Sequence, residues 1–201
     1  AGTGHETSTI SLVVSPDNTQ AVLVSTRDNK RNSAGTLLQG LTFIDLATGA
    51  SSTVDYALQI QLVDWLGGRL IYRSTVTEAS SDPQRNRLVA YTYASNARTQ
   101  LASANQFNAL ISAKGTIYYA PAATDPNATL GMFRIKSDGS GRERLSDEEV
   151  WSAFYTTPDL IHVQTAKGWS ALDLNSKEMQ SSAAPDTMLN YYFATNPGGT
   201  L

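Results

Sequence analysis

The residues of this chain best suited to recognition chemistry are cations and carboxylates gathered on polar stretches between apolar runs. The first stretch, Ser25 to Gln39, holds Arg27, Asp28, Asn29, Lys30, Arg31 and Asn32. The second, Ser74 to Asn86, holds Glu78, Asp82, Gln84 and Arg85, with Arg87 just beyond it. A third, Pro121 to Leu130, holds Asp125 and Asn127. Arginine offers a planar fork of donors that grips a carboxylate through two parallel hydrogen bonds. The set therefore points to an acidic peptide or glycan held by Arg27, Asp28, Lys30, Arg31, Asn32, Glu78, Asp82, Arg85, Arg87 and Asp125. The same residues would also make an ordinary polar rim.

The remaining chemistry-bearing side chains do not assemble a catalytic set. His5 sits in a Gly- and Thr-rich tail, residues 1–7, that reads as disordered, and His162 lies inside the apolar run Leu160 to Val163, where a satisfied strand residue is the simpler reading. There is no Gly-x-Ser-x-Gly elbow, no Walker A or dinucleotide loop, and no His-Glu-x-x-His or EF-hand pattern. The chain has no cysteine, which excludes disulfides, thiolate zinc sites and thiol catalysis. Asp17, Asp138 and Asp159 stand in turns, where a carboxylate hydrogen-bonds the local backbone. Asp45 and Asp173 recur just ahead of matching turns, again a structural signature, and Glu148 and Glu149 precede Trp151 as solvated acids or, alternatively, metal ligands near an axis. A hydrolase or lyase would need acids converging at the ends of equivalent strands, but Asp64 is matched there by neutral Ala109 to Ile111 and Ala153 to Tyr155. No catalytic residue, cofactor or metal is expected. Asn127-Ala128-Thr129 fits a glycosylation sequon by pattern alone.

Composition narrows the partners. The chain has 201 residues, net charge −3 and only 16% charged residues. Its Lys and Arg are scattered, so neither nucleic acid nor an anionic membrane surface is an expected partner. No run approaches the ~18 apolar residues that span a bilayer, so direct membrane insertion is not expected. Beginning at Ala1, the chain reads as a processed form or an excised piece of a longer protein.

The elements that position these residues are strands in a repeat. In Gly131 to Leu145, Phe133 and Ile135 alternate with Arg134 and Lys136, the period-two pattern of a half-buried strand. Ser137 to Gly141 supplies turn residues, and Arg142-Glu143-Arg144 leads away as a charged edge. Weaker copies run through the chain, each with four strands and first turns centred near residues 17, 67, 114 and 158. The spacing, about 50, 47 and 44, lies close to the ~40–45 residues of a four-stranded propeller blade. The expected blades are about 8–57, 58–104, 105–148 and 149–186, with the start of a fifth over 187–201 (Leu189 to Gly199). Trp65, Phe107, Phe154 and Tyr192 in first strands, and Phe43, Tyr91, Phe133 and Trp169 in third strands, are expected between blades, contributing about 1.5–3 kcal/mol each. Almost no helix is expected.

Three segments carry a family resemblance. Met132 to Gly141 resembles the Asp-Gly-Ser-Gly hairpin of TolB-type propeller repeats, the PD40 or WD40-like group. Thr42 to Gly49 is similar to their Asp-Leu-x-Thr-Gly hairpin, and Ser15-Pro16-Asp17-Asn18 resembles their Ser-Pro-Asp-Gly turn with Asn in place of Gly. The likeness runs over nearly the whole chain, although the second copy lacks the Pro-Asp turn and the fourth is short. It implies an all-β propeller and an extracytoplasmic setting in a bacterial envelope or surface, and specifies a blade rather than an activity. A rigid scaffold with long polar loops and no assembled catalytic set leads instead to the expectation of a non-enzymatic module that binds a protein or peptide through its loop-rich rim. A hydrolase or lyase with an axial carboxylate or metal site, or a purely architectural domain, are the alternatives. Members of the group carry six or more blades, so the resemblance also implies closure of the ring by another chain or by a further segment of a parent protein, a compact four-bladed ring being the other arrangement.

Overall fold

Residues 9–123 and 129–185 are described by the computed structural model. His5, Asp125, Asn127, Tyr192, the first two residues of the sequon and the fifth-copy fragment lie outside those residues. Short apolar runs broken by turn residues fold into sixteen strands among the described residues, with one turn of 3-10 helix at Tyr93–Ser95. Each successive quartet makes one antiparallel sheet in sequence order. The first blade is β1 (Thr9–Val14), β2 (Gln20–Ser25), β3 (Gln39–Asp45) and β4 (Ser51–Ala57). The second is β5 (Gln59–Leu66), β6 (Arg69–Thr75), β7 (Asn86–Thr92) and β8 (Ala97–Ala104). The third is β9 (Phe107–Ala113), β10 (Thr116–Pro121), β11 (Phe133–Lys136) and β12 (Glu143–Arg144), and the fourth is β13 (Val150–Thr157), β14 (Leu160–Thr165), β15 (Gly168–Asp173) and β16 (Met179–Ser182). This is the β-propeller arrangement: meandering four-stranded blades, each laid against the next.

Turn chemistry sets the hairpins. Asn18 adopts φ 57°, so Asn does in the first turn what Gly would do. Gly131, at φ 123°, packs so tightly that a Cβ there would lie 1.9 Å from the carbonyl oxygen of Ser146.

A single blade cannot bury both of its faces, and three apolar seams do so between blades. Val22, Leu41 and Phe43 of the first blade meet Leu62, Tyr72 and Tyr91 of the second. Ile71, Leu88 and Leu101 meet Phe107, Tyr119 and Phe133 of the third. Tyr118, Ala120 and Met132 meet Val150, Ile161 and Leu172 of the fourth. Among the described residues no fourth seam joins the last blade to the first. Leu12 is 60% exposed on the outward face of the first blade, beside Val14 and Ile10. Phe154 and Trp169, expected between blades, instead tilt against each other at 6.0 Å. Alternation explains it: their neighbours Val163 and Ile161 point into the third seam, so the strand positions of Phe154 and Trp169 point the other way.

Candidate functional site: the loop rim

Register decides which loops share an end. Gln59 pairs with Thr75, Thr75 with Asn86, and Asn86 with Ala104. The loop between the second and third strands of this blade therefore lies at the same end as the links to its two neighbours. The first blade repeats this, with Ser25 opposite Gly40 and Gln39 opposite Ala57.

The structure divides the sequence candidates by what already occupies them. Asp28 Oδ2 accepts from Tyr56 Oη at 2.7 Å and from Thr53 Oγ1 at 3.1 Å. The bond to Asp28, with desolvation behind it, raises the Tyr56 phenol above its ordinary range. Lys30 Nζ sits 3.9 Å over the Tyr56 ring, a cation–π contact. Together these pin the first loop onto β4. Gly40 allows it, since a Cβ there would lie 3.2 Å from the Tyr56 ring. Asn32 shapes the loop tip, its Oδ1 accepting from the backbone N–H of Ala34 and Thr36. Arg31 donates to the Gly35 carbonyl at 2.9 Å and is otherwise exposed. Thr36 Oγ1 donates to Glu78 Oε1 at 2.6 Å, joining the first loop to the second. Asp82 Oδ1 accepts from Gln84 N at 2.7 Å and closes a turn. Arg27 reaches Asp28 only at 3.7 Å. Arg85 and Arg87 form no ion pair among the described residues, and the Arg85 Nε is buried without a partner. Arg73 of β6, not among the sequence candidates, lies half-buried near Arg85. The signal that could have found it is a charge inside the otherwise apolar run Leu70 to Tyr72 and the buried Ser74 and Thr75.

The turn carboxylates are structural. Asp45 Oδ1 accepts from Ala47 N, Thr48 N and Thr48 Oγ1, and Asp173 Oδ1 accepts from Asn175 N and Ser176 N. Asp17 accepts from Ser15 Oγ, Thr19 N and Thr19 Oγ1, and Asp138 from Ser140 N. All four carboxyls are held below the ordinary range by these bonds: Thr48 first for Asp45, Ser176 for Asp173, Ser15 for Asp17 and Ser140 for Asp138. Asp159 departs from the turn-capping expectation. Its carboxylate instead takes the ammonium of Lys114, which reaches across from the first turn of the neighbouring blade and also meets Asn175 Oδ1. Glu148 stays partly exposed while pairing with Lys167 and accepting from Thr165 Oγ1 at 3.0 Å. His162 Nδ1 lies 2.9 Å from Thr156 Oγ1 as a satisfied strand residue. Asp64 accepts from Ser112 Oγ at 2.5 Å and from Trp65 N at 2.7 Å, tying the first strands of the second and third blades. Among the described residues no three His, Asp or Glu side chains gather as a metal site would require.

No family model and no curated protein matches the sequence. Solved structures do match the fold. A TolB-like protein from Agrobacterium tumefaciens is 14% identical, with TM-score 0.50 over 83% of this chain and 62% of its own. An oligogalacturonate lyase solved with manganese is 14% identical, with TM-score 0.51 over 89% of this chain and 54% of its own. The β-propeller domain of the Trilobed protease from Pyrococcus furiosus, of open velcro topology, is 10% identical, with TM-score 0.52 over 88% of this chain and 69% of its own. This chain thus spans less than two thirds of the first two. Its fold is that of the TolB-like and other β-propellers, with four blades among the described residues.

Proposed function

We propose that the chain is a non-enzymatic recognition and scaffold module that binds an acidic protein or peptide segment on the rim carrying its long loops. One observation carries this reading: the described rim acids are occupied, while three rim arginines have no carboxylate partner among the described residues. Asp28, Glu78 and Asp82 accept from Tyr56, Thr36 and Gln84, whereas Arg31, Arg85 and Arg87 have no carboxylate partner among the described residues. A rigid scaffold presenting unspent guanidinium forks suits a ligand that brings its own carboxylates. The test is fluorescence anisotropy with a labelled ten-residue glutamate peptide and a lysine peptide of equal length. R31A/R87A should weaken the glutamate complex about tenfold, the equivalent of ~1.4 kcal/mol. Equal affinity of wild type and variant, or preference for the lysine peptide, would remove the rim from the argument.

A hydrolase or lyase reading needs a free acid at the axis. Asp64, the acid at a first-strand end, already accepts two hydrogen bonds. The faces of the first and fourth blades that no described residue covers belong to the scaffold part of the proposal. The three seams support a further four-stranded blade as the occupant of such a face, carried by another chain or by parent sequence. Light scattering of this chain alone and of its parent separates those two sources.

A further inference from the structure

The first and second seams share one register, so their side chains can be matched pair by pair. Tyr72 and Tyr119 each stand four residues past the closing glycine of a first turn, Gly68 at φ 73° and Gly115 at φ 72°. In the second blade the ladder runs from Leu70 to Tyr91 to Arg98. In the third it runs from Ile117 to Ile135, and the pairing of Arg134 with Glu143 places Arg142 at the next step, opposite Ile135. Arg142 is therefore the counterpart of Arg98. The strands facing these residues match as well. Val24 pairs with Leu41 and Leu41 with Asp55, while Arg73 pairs with Leu88 and Leu88 with Ala102. Both ladders shift register just beyond, at Leu41/Thr42 and at Leu88/Val89. Ala102 is therefore the counterpart of Asp55.

What differs is the acid. In the first seam Tyr72 Oη donates to Asp55 Oδ2 at 2.7 Å, Arg98 Nη1 lies 3.3 Å from Asp55 Oδ1, and Arg98 Nη2 donates to the Val54 carbonyl. Phenol, carboxylate and guanidinium satisfy one another. In the second seam Tyr119 is 1% exposed and its Oη has no hydrogen-bond partner. Arg142 is exposed and enters no ion pair among the described residues. The two remain neighbours, since Arg142 Cζ lies 5.4 Å from the Phe133 centroid and the Phe133 ring stacks on Tyr119 at 5.4 Å. Ala102 belongs to the same buried cluster as Tyr119. The turn ahead of Arg142 rests on the strand of Ala102, where a Cβ at Gly139 would lie 3.5 Å from Thr99 and 3.8 Å from Leu101. Burial pushes the Tyr119 phenol above its ordinary range and the charge of Arg142 draws it only partly back, so the hydroxyl stays a donor. A buried donor left unpaired is costly, and a carboxylate accepts from a phenol and a guanidinium at once. Alanine keeps the Cβ of aspartate and lacks only the carboxyl group.

We propose that the seam between the second and third blades carries a carboxylate-binding niche, formed by Tyr119 and Arg142 over Ala102, in which an external carboxylate takes the place that Asp55 holds in the first seam. Tyr119 closes the niche from within, and Arg142, on the outermost side of its blade, opens it to solvent. It adjoins the turns at Tyr93–Ser95 and 137–141, at the end of the blades opposite the long loops, so it is independent of the rim reading. Its ligand is a monocarboxylate, free in solution or borne by an acidic side chain.

Melting temperature against sodium acetate, with sodium chloride at equal ionic strength, measures the affinity. Wild type should be stabilised by acetate, saturably and beyond chloride. R142Q and Y119F should each weaken acetate about tenfold or more, and comparison among variants removes the general effect of the salt. A102D brings its own carboxylate and should no longer respond to acetate. Without ligand, Y119F should melt no lower than wild type, because the hydroxyl it loses has no partner. R31A/R87A, on the rim, should respond to acetate as wild type does, whatever becomes of its peptide binding. The Arg142 Nε–H resonance, assigned by its loss in R142Q, separates the sources. A shift with both acetate and the glutamate peptide names an acidic side chain, and a shift with acetate alone names a free carboxylate; either keeps the niche. If A102D does not fold, R142Q and Y119F decide. Acetate that stabilises wild type no more than chloride, R142Q or Y119F responding as wild type does, Y119F melting as far below wild type as Tyr72→Phe, or folded A102D still taking acetate would each overturn the proposal.

Discussion

Tyr72→Phe is the sharpest probe of how the first two blades hold together. Tyr72 is fully buried in the second blade, and its hydroxyl donates to Asp55 Oδ2 of β4 at 2.7 Å. Burial and the nearby Asp55 charge push the phenol well above its ordinary range, so it remains a donor throughout the working pH range. Phenylalanine keeps the ring and opens almost no cavity, so the loss is that of one hydrogen bond to a charged group, ~1.5–3 kcal/mol. Asp55 keeps Arg98, whose Nη1 lies 3.3 Å away. Arg98 is well exposed and its ion pair is weak, so it compensates little. Taking ~2 kcal/mol, and ~2–4 °C of melting temperature per kcal/mol at this chain length, the variant should melt about 4–8 °C lower. Tyr91→Phe is the comparison. Its hydroxyl meets the neutral Asn96 Oδ1 at 2.8 Å, so it should cost nearer ~1 kcal/mol. The assay is thermal and urea unfolding of both variants and of Tyr72→Phe in an Asp55→Ala background, which removes the acceptor. A shift below ~0.5 kcal/mol, or the same shift with Asp55 replaced, would refute the idea that this bond joins the blades.

Other consequences follow from the same geometry. Asp17, Asp45, Asp138 and Asp173 have folded-state pKa values below their ordinary 3.8, so their contribution is complete above that value and is lost as pH falls from 3.8 through the folded values; D45N/D173N should flatten the melting-temperature profile below that pH, and an unaltered profile would contradict the assignment. Gly131→Ala forces a Cβ onto the Ser146 carbonyl oxygen at a φ that side chains resist, so it should lower the urea midpoint by the equivalent of ~2 kcal/mol or more, and a neutral result would show that the turn rearranges freely. Phe43→Ala, in the first seam against Tyr91 at 4.9 Å, should cost ~3–5 kcal/mol, whereas Leu12→Ser on the uncovered face should stay within ~0.5 kcal/mol. Equal costs at the two positions would mean that both faces of the first blade are packed.

The four-strand repeat was legible because its signals are local. Alternation in Phe133 to Lys136 and the turn residues Asn18 and Gly139, at φ 57° and 87°, act within a few positions of one another. The third dimension was less legible. Tyr72 and Tyr119 are among the largest fully buried side chains, yet they sit on second strands whose continuous apolar runs give no face. Phe154 and Trp169 have the right place in the repeat, but the repeat does not reveal which face has a neighbour. Among the site candidates, residue types were readable and their occupancy was not. Asp28 looks free in sequence, yet it is held by Tyr56, 28 positions away. Arg73 was hidden for the opposite reason: a strand charge reads as an outward-facing residue, and only the register against Leu88 turns it into a seam.

Each seam pairs a non-directional apolar cluster with at least one directional tie. Asp55 with Tyr72 serves the first, Asp64 with Ser112 the second, and Asn108 Nδ2 to the Val150 carbonyl the third. Apolar burial alone would tolerate sliding of one sheet over another, because its energy follows area rather than angle. The ties remove that freedom, each fixing one atom of a blade against one atom of the next. In such an array, stability is a sum of blade terms and nearest-neighbour seams. Among the described residues, the two inner blades are held on both faces and the outer two on one. The middle seam is therefore where the scaffold is stiffest, because both of its blades are also held on their other faces.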